Sequence, residues 1–151
     1  MTELSRTFLG RLSEQLSDLI EQQSAKVFER AGLVIPVKSS FLLSAITTLG
    51  PVSASDLVRA LNRSHQLIQQ KIPKLLKLGL ITRRPDPDDR RVMLIETTDK
   101  GREQLALFEQ LAPRFDQAYA ELEEDTGPVF DAINRAIGAL KSRPLVERIV
   151  V

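Results

Sequence analysis

Cysteine is absent from the 151 residues, which excludes disulfides, thiol nucleophiles, zinc-thiolate sites and cysteine-based redox sensing. Histidine occurs once, as His65, so a metal site would rest almost wholly on carboxylates. Neither a metal nor a cofactor is expected. No apolar run approaches the roughly 18 residues that a membrane span needs. The N-terminal stretch MTELSRTFLGRLSEQLSDLI interrupts its apolar stripe with acidic and polar residues and does not read as a signal peptide. A cytoplasmic protein without a membrane partner is therefore expected. Also missing are a Gly-rich phosphate loop, an H-E-x-x-H motif, a G-x-S-x-G elbow and a nucleophile with a matching histidine. The carboxylate pair Glu123 and Glu124 falls on a solvated helix end. No catalytic residue emerges, and the chain is not expected to be an enzyme. Internal repeats and low-complexity segments are absent as well.

What is present is an ordinary globular composition, 42% hydrophobic and 27% charged, with length for one domain or one domain plus an oligomerisation element. The net charge of +1 conceals a division along the chain. From Asp56 to Arg102 there are 11 Lys/Arg against 6 Asp/Glu, whereas the remainder holds 10 against 14. A basic centre, with the opposite balance in the rest of the chain, suits a meeting with a polyanion.

Helical periodicity comes first. Leu4, Phe8, Leu12, Leu16, Leu19, Ile20 and Val27 recur at spacings of three and four, placing a helix up to about Arg30 that Gly32 stops. Phe41, Leu42, Ala45, Ile46 and Leu49 outline a second helix. In VSASDLVRALN, Ser53 stands three residues before Asp56, as in a capping box with Asp for Glu, and Leu57, Val58 and Leu61 supply the buried side. After the turn NRS, HQLIQQKIPKLLKLG reads as a fourth helix with Ser64 as N-cap and Gly79 as stop. Two short helices joined so tightly are a helix-turn-helix candidate. GLIT and VMLI then flank RRPDPDDRRV, with four arginines, three aspartates and two prolines, as a hairpin with a charged tip. Thr98 caps a long helix to about Asp125. Val129, Phe130, Ile133, Ile137 and Leu140 outline a last one beyond Gly127-Pro128.

On the fourth helix Ile68, Ile72, Leu75 and Leu76 share the core arc. Gln66, Gln70, Lys74 and Lys77 project oppositely, with Gln69 and Lys71 at the margins. A glutamine amide pairs with the N6/N7 edge of adenine, while lysines suit phosphate or guanine; equally, such residues form a solvated surface. His65, in the first turn, reads either as a donor to a phosphate or base or as a packing residue. Pro73 removes a backbone hydrogen bond, and is expected to bend this helix, leaving residues 64–70 as the reading half. At the tip, Asp89 is placed to orient Arg90 or Arg91 by a carboxylate-guanidinium pair, presetting it for a minor groove. A hairpin following a helix-turn-helix is the layout of a winged helix.

Taken in order, LGPVSASDLVRALNRSHQLIQQKIPKLLKLGLITRR, DPDDRRV and TTDKGREQL resemble the MarR family of transcription regulators. The family's D-x-R motif falls on Asp89 and Arg91, and its L-T-x-x-G on TTDKG, with Thr97 in place of leucine. Pro73, Lys71 and Asp88 depart from the family pattern. The resemblance implies a mainly α winged helix-turn-helix with a small β-hairpin wing and N- and C-terminal dimerisation helices. The divisions are 1–35 for the first dimerisation helix, 36–97 for the DNA-binding domain and 98–151 for the linking and last helices. It implies a homodimer joined through Leu4, Phe8, Leu12, Leu16, Val129, Phe130, Ile133, Ile137 and Leu140. The partner would be double-stranded DNA with a pseudo-palindromic operator, read by Ser64, His65, Gln66, Gln69, Gln70, Lys74, Arg90 and Arg91 with Asp89 orienting the wing. A repressor relieved by a small aromatic or lipophilic effector is the expected function, and a winged-helix protein-interaction module with weakened DNA binding is the alternative.

Overall fold

A computed structural model describes residues 5–150. They fall into two compact units, one extending to Gln110 and the other beginning at Leu111. Of the anticipated dimerisation residues, Leu4 lies outside the described range.

In the first unit a 3-10 turn, Arg6–Phe8, leads into α1, Leu9–Arg30. A second 3-10 turn, Val37–Ser39, leads into α2, Ser40–Leu49. Then follow β1 (Val52–Ser53), α3 (Ala54–Leu61), α4 (His65–Lys77), β2 (Ile81–Pro85) and β3 (Met93–Thr97). Helix α5, Asp99–Thr126, begins in the first unit and ends in the second, where α6 (Val129–Ser142) and α7 (Leu145–Arg148) follow. The antiparallel sheet has the order β1-β3-β2, with Ile81 opposite Thr97 and Arg83 opposite Ile95. On the other edge Val52 pairs with Ile95. Strand β1 is absent from the sequence reading, where its residues belong only to a helix start.

Local chemistry explains the helix ends. At Gly32 (φ +76°) and Gly79 (φ +70°) the chain enters the left-handed region, where a glycine pays no Cβ penalty. The Leu33 N–H donates to the Phe28 carbonyl at 2.9 Å and the Leu80 N–H to the Leu75 carbonyl at 3.0 Å. Each pair closes a Schellman motif, and in both cases the two apolar residues are buried. Ser53 Oγ accepts the Asp56 N–H at 3.1 Å and donates to Asp56 Oδ2 at 2.7 Å. The acid thus binds the serine hydroxyl, whereas in a standard capping box it reaches the backbone N–H. The tight turn between α3 and α4 is made by Asn62, at φ +49°, a conformation that asparagine tolerates better than most side chains.

Leu43, Ile46, Leu57, Leu75 and Leu80 are fully buried and form the centre of this unit with Ile68. Each such side chain stabilises the fold by roughly 1.5–3 kcal/mol. Phe28 of α1 meets Phe108 of α5 edge-on, with ring centroids 5.8 Å apart. One expectation needs correction. Phe41 and Leu49 are exposed, and the buried face of α2 is Leu42, Leu43 and Ile46. Its six apolar residues, Phe41, Leu42, Leu43, Ala45, Ile46 and Leu49, are too many for one narrow stripe, so the sequence supports more than one phase, and packing selects among them. Helix α4 runs on past Pro73 to Lys77, and α5 past Pro113 to Thr126.

In the second unit, Gly127 (φ +80°) ends α5. Glu123 Oε1 accepts the Phe130 N–H at 2.8 Å, so this carboxylate satisfies one of the free donors at the start of α6. Phe115 and Tyr119 stack at 6.1 Å. Every residue from 130 to 150 is exposed, including Phe130, Ile133, Ile137 and Leu140.

Candidate nucleic-acid interface

Helix α4 is set in place from both ends and from below. Ser64 Oγ accepts the Leu67 N–H at 3.2 Å and starts the helix. Ile68, Ile72 and Leu75 bury its lower face. At its C-terminus the start of α5 supplies donors. Thr98 Oγ1 donates to the Gly79 carbonyl at 2.6 Å, Lys100 Nζ to the Leu78 carbonyl at 2.8 Å, and the Thr98 N–H to the Leu80 carbonyl at 3.0 Å. Thr98 Oγ1 also accepts the Gly101 N–H, capping α5. Gly101 itself is buried, and a β-carbon there would overlap the Leu80 carbonyl oxygen and lie 2.6 Å from Thr97 Cγ2. The glycine of TTDKG is therefore a close-approach residue. Its partner lies 21 positions earlier in the chain, a relation no local pattern reveals.

The upper face of α4 is open. His65, Gln66, Gln69, Gln70, Pro73, Lys74 and Lys77 are all exposed, which removes the packed alternative for His65. None of the three glutamine amides has a hydrogen-bond partner among the described residues. Lys71 is half-buried at the margin, and loss of hydration, the leading cause, pulls its pKa below the ordinary lysine value.

On the wing the uncertainty between Arg90 and Arg91 resolves. Arg91 Nε and Nη2 donate to Asp89 Oδ1 and Oδ2 at 3.0 and 3.1 Å, a two-pronged pair, and the Arg91 N–H also donates to Oδ1 at 3.1 Å. Arg91, first through its guanidinium and then through its backbone N–H, holds the Asp89 carboxyl below its usual 3.8. Arg90 carries no such pairing among the described residues and is fully available. The neighbouring Asp86 accepts the Asp88 N–H at 2.9 Å, so it shapes the turn. Arg84 is tied across the strands to Glu96 at 2.6 Å. The sequence reading passed over Arg63, which is exposed in the turn preceding α4. Its membership in the basic run between Asp56 and Arg102 was the available signal.

A cleft of about 370 Å³ opens beside α4. Its apolar floor includes Phe41, Leu67 and Ile68, and Lys38, Arg63 and Lys71 stand over it. Lys38 is already engaged by Asp18 at 3.0 Å and Glu21 at 2.8 Å, with Glu21 the stronger cause of its raised pKa.

The helix pair, the three-stranded sheet and the hairpin at its edge define a winged helix-turn-helix. Residues 35–92 match the family model described as the MarR family. Among curated proteins, the chain is 30% identical over 74 residues to the uncharacterized HTH-type transcriptional regulator YdgJ of Bacillus subtilis (strain 168). That match covers 49% of this chain and 45% of the relative, so the chain aligns with less than half of that protein's length. Among solved structures, the fold is similar to the S. aureus MepR-DNA complex, with a TM-score of 0.68 and 19% identity over 91% of this chain and 100% of the other. It is also similar to a mutant MarR from E. coli complexed with operator DNA, with a TM-score of 0.67 and 20% identity over 91% and 98% of the two chains. Among the described residues no helix is long and apolar enough to cross a membrane.

Proposed function

We propose that the protein is a transcriptional regulator that binds double-stranded DNA as a homodimer, with α4 in the major groove and the wing against the adjacent backbone or minor groove. The observation that carries this reading is the division of labour on α4: a lower face sealed into the core and an upper face of unpartnered glutamine amides and lysines. Base edges need donors and acceptors that the protein has not already spent. The wing supports it, because Asp89 holds Arg91 in a fixed direction while Arg90 stays free. Contact with DNA belongs on this reading to Ser64, His65, Gln66, Gln69, Gln70 and Lys74, with Arg90 and Arg91 on the wing.

Pairing of two chains is supported by the uncovered apolar residues on the terminal helices: Phe8, Leu12, Phe130, Ile133, Ile137 and Leu140 are each at least 39% exposed. On this reading residues 1–35 and 98–151 form the dimer and 36–97 the reading head. The pair sets two α4 helices about 34 Å apart on a pseudo-palindromic site. Repression relieved by an effector fits the cleft beside α4, whose volume falls in the range of small-molecule sites. An aromatic or lipophilic anion would find an apolar floor with Arg63 and Lys71 above it. Of the acids on the wing that motivate the protein-interaction alternative, Asp86 is used in the turn and Asp89 on Arg91, which leaves Asp88 exposed at the tip.

The test is fluorescence anisotropy against duplexes from upstream of the protein's own coding region, over a salt series. Each phosphate contact contributes about 0.9 to the slope of log affinity on log salt. Arg90→Ala with Arg91→Ala removes two arginines from each of the two subunits and is expected to weaken binding and to flatten that slope by up to about 3.6 units. Salt-independent binding, or no change in the double variant, would refute the reading. Benzoate as a probe of the cleft should weaken DNA binding in wild type and lose that effect with Lys71→Met.

A further inference from the structure

The upper face of α4 contains an unexpected group. Gln66, Gln70, Pro73 and Lys77 follow one another at i, i+4, i+7 and i+11, the spacing of a single helix face, with Gln69 beside them. All five are exposed. Pro73 is the one apolar member of this stripe, and it sits in the interior of a helix to which it contributes no N–H. Packing does not account for it, because the core contacts of α4 come from Ile68, Ile72 and Leu75 on the other side. The helix also contains no arginine, the commonest reader of guanine, and its lysines fall at 71, 74 and 77. Lys71 is half-buried at the margin and Lys74 stands off the stripe, while Lys77 is the last residue of the helix, furthest from the end that docks nearest the bases.

We propose that α4 reads a half-site centred on A·T base pairs, with the glutamine amides on adenine N6/N7 edges and the Pro73 ring against the C5-methyl group of a thymine. The inference rests on the DNA-binding reading above and specifies its partner. Amides offer the donor-acceptor pair that adenine presents, and a pyrrolidine ring offers apolar surface and nothing else. Of the four bases, thymine alone carries an apolar group in the major groove. Lys74 and Lys77 are left to neutralise phosphates, which fixes register without specifying sequence.

The experiment starts by selecting duplexes from a randomised pool with the full-length protein. Each thymine of the selected half-site is then replaced in turn by deoxyuridine, which removes only the methyl group, and affinities are measured by anisotropy for wild type, Pro73→Ser and Gln70→Ala. The expected result is an A·T core with one thymine whose demethylation weakens wild-type binding about fourfold, the worth of one buried methyl. Pro73→Ser, which restores the helix hydrogen bond and so favours folding, should be indifferent to that demethylation while keeping the adenine preference. Gln70→Ala should relax the adenine preference at one position and keep the methyl effect. A G·C core overturns the proposal, as does a methyl effect of equal size in wild type and Pro73→Ser. Selection of no duplex at all overturns the DNA-binding reading itself and the proposal with it, and so is distinguishable from either of those failures.

Discussion

Helices α4 and α6 are both amphipathic, of 13 and 14 residues, yet they have opposite fates in the folded chain. The apolar stripe of α4, Ile68, Ile72 and Leu75, is at most 6% exposed, whereas that of α6, Phe130, Ile133, Ile137 and Leu140, is between 44% and 73% exposed. The first stripe has its partners within the same unit of the chain. The second has the composition of a buried face and no cover in a single subunit, and contiguous apolar surface of that kind marks an interaction site. In the proposed dimer, the same pattern of residues serves folding in one place and association in the other.

The comparison can be broken with substitutions at matched positions. The largest effect is expected from Leu75→Ala, which should cost about 2–5 kcal/mol of folding stability, read from urea denaturation. Ile137→Asp should instead leave the fold of the first unit intact and raise the dimer dissociation constant roughly thirtyfold or more, since interface hot spots exceed about 2 kcal/mol. Sedimentation over a concentration series measures this, and an unchanged dimer, or a monomeric wild type, would remove the contrast between the helices. Gly101→Ala ranks next, at about 1–3 kcal/mol for overpacking, because the added methyl meets a backbone carbonyl that has little room to retreat. The smallest effect is electrostatic. The Asp89–Arg91 pair depresses the carboxyl pKa, so its contribution is complete above the ordinary value of 3.8 and disappears as pH falls through the lower folded value. Between pH 5 and 9 the wing should therefore hold one geometry. Carboxyl-carbon NMR of Asp89 should titrate below 3.8 in wild type and return upward with Arg91→Ala.

How much of this was legible in the sequence depended on how far apart the interacting residues lie. Ser53, Ser64, Gly32 and Gly79 act on neighbours within five positions, and each was readable as a cap or a stop. The hairpin was equally plain, because alternation and turn residues are local signals. Three features were not. Strand β1 has two residues, too few to show a period. The phase of α2 is decided by what packs against it, so Phe41 could not be assigned to the outside from a helix whose six apolar residues fill more than one stripe. The role of Gly101 depends on the Leu80 carbonyl, which the fold brings to it from another element. At the candidate interface, the residue types and the exposed face of α4 were legible, and so was the pairing of Asp89 with a neighbouring arginine. Which arginine it holds was not, because adjacent residues on a turn differ only in geometry.

The junction of β3 with α5 has a consequence for how such a chain tolerates change in length. Three backbone carbonyls at 78, 79 and 80 are met by donors from residues 98 and 100, and Gly101 is seated against the last of them. One residue inserted between Thr97 and Gly101 would rotate everything downstream by about 100° and unseat all these contacts together. A residue added between Pro87 and Arg90 would only lengthen the solvent-facing tip. Drift in wing length is thus cheap, while the hinge from which the wing hangs is locked in register.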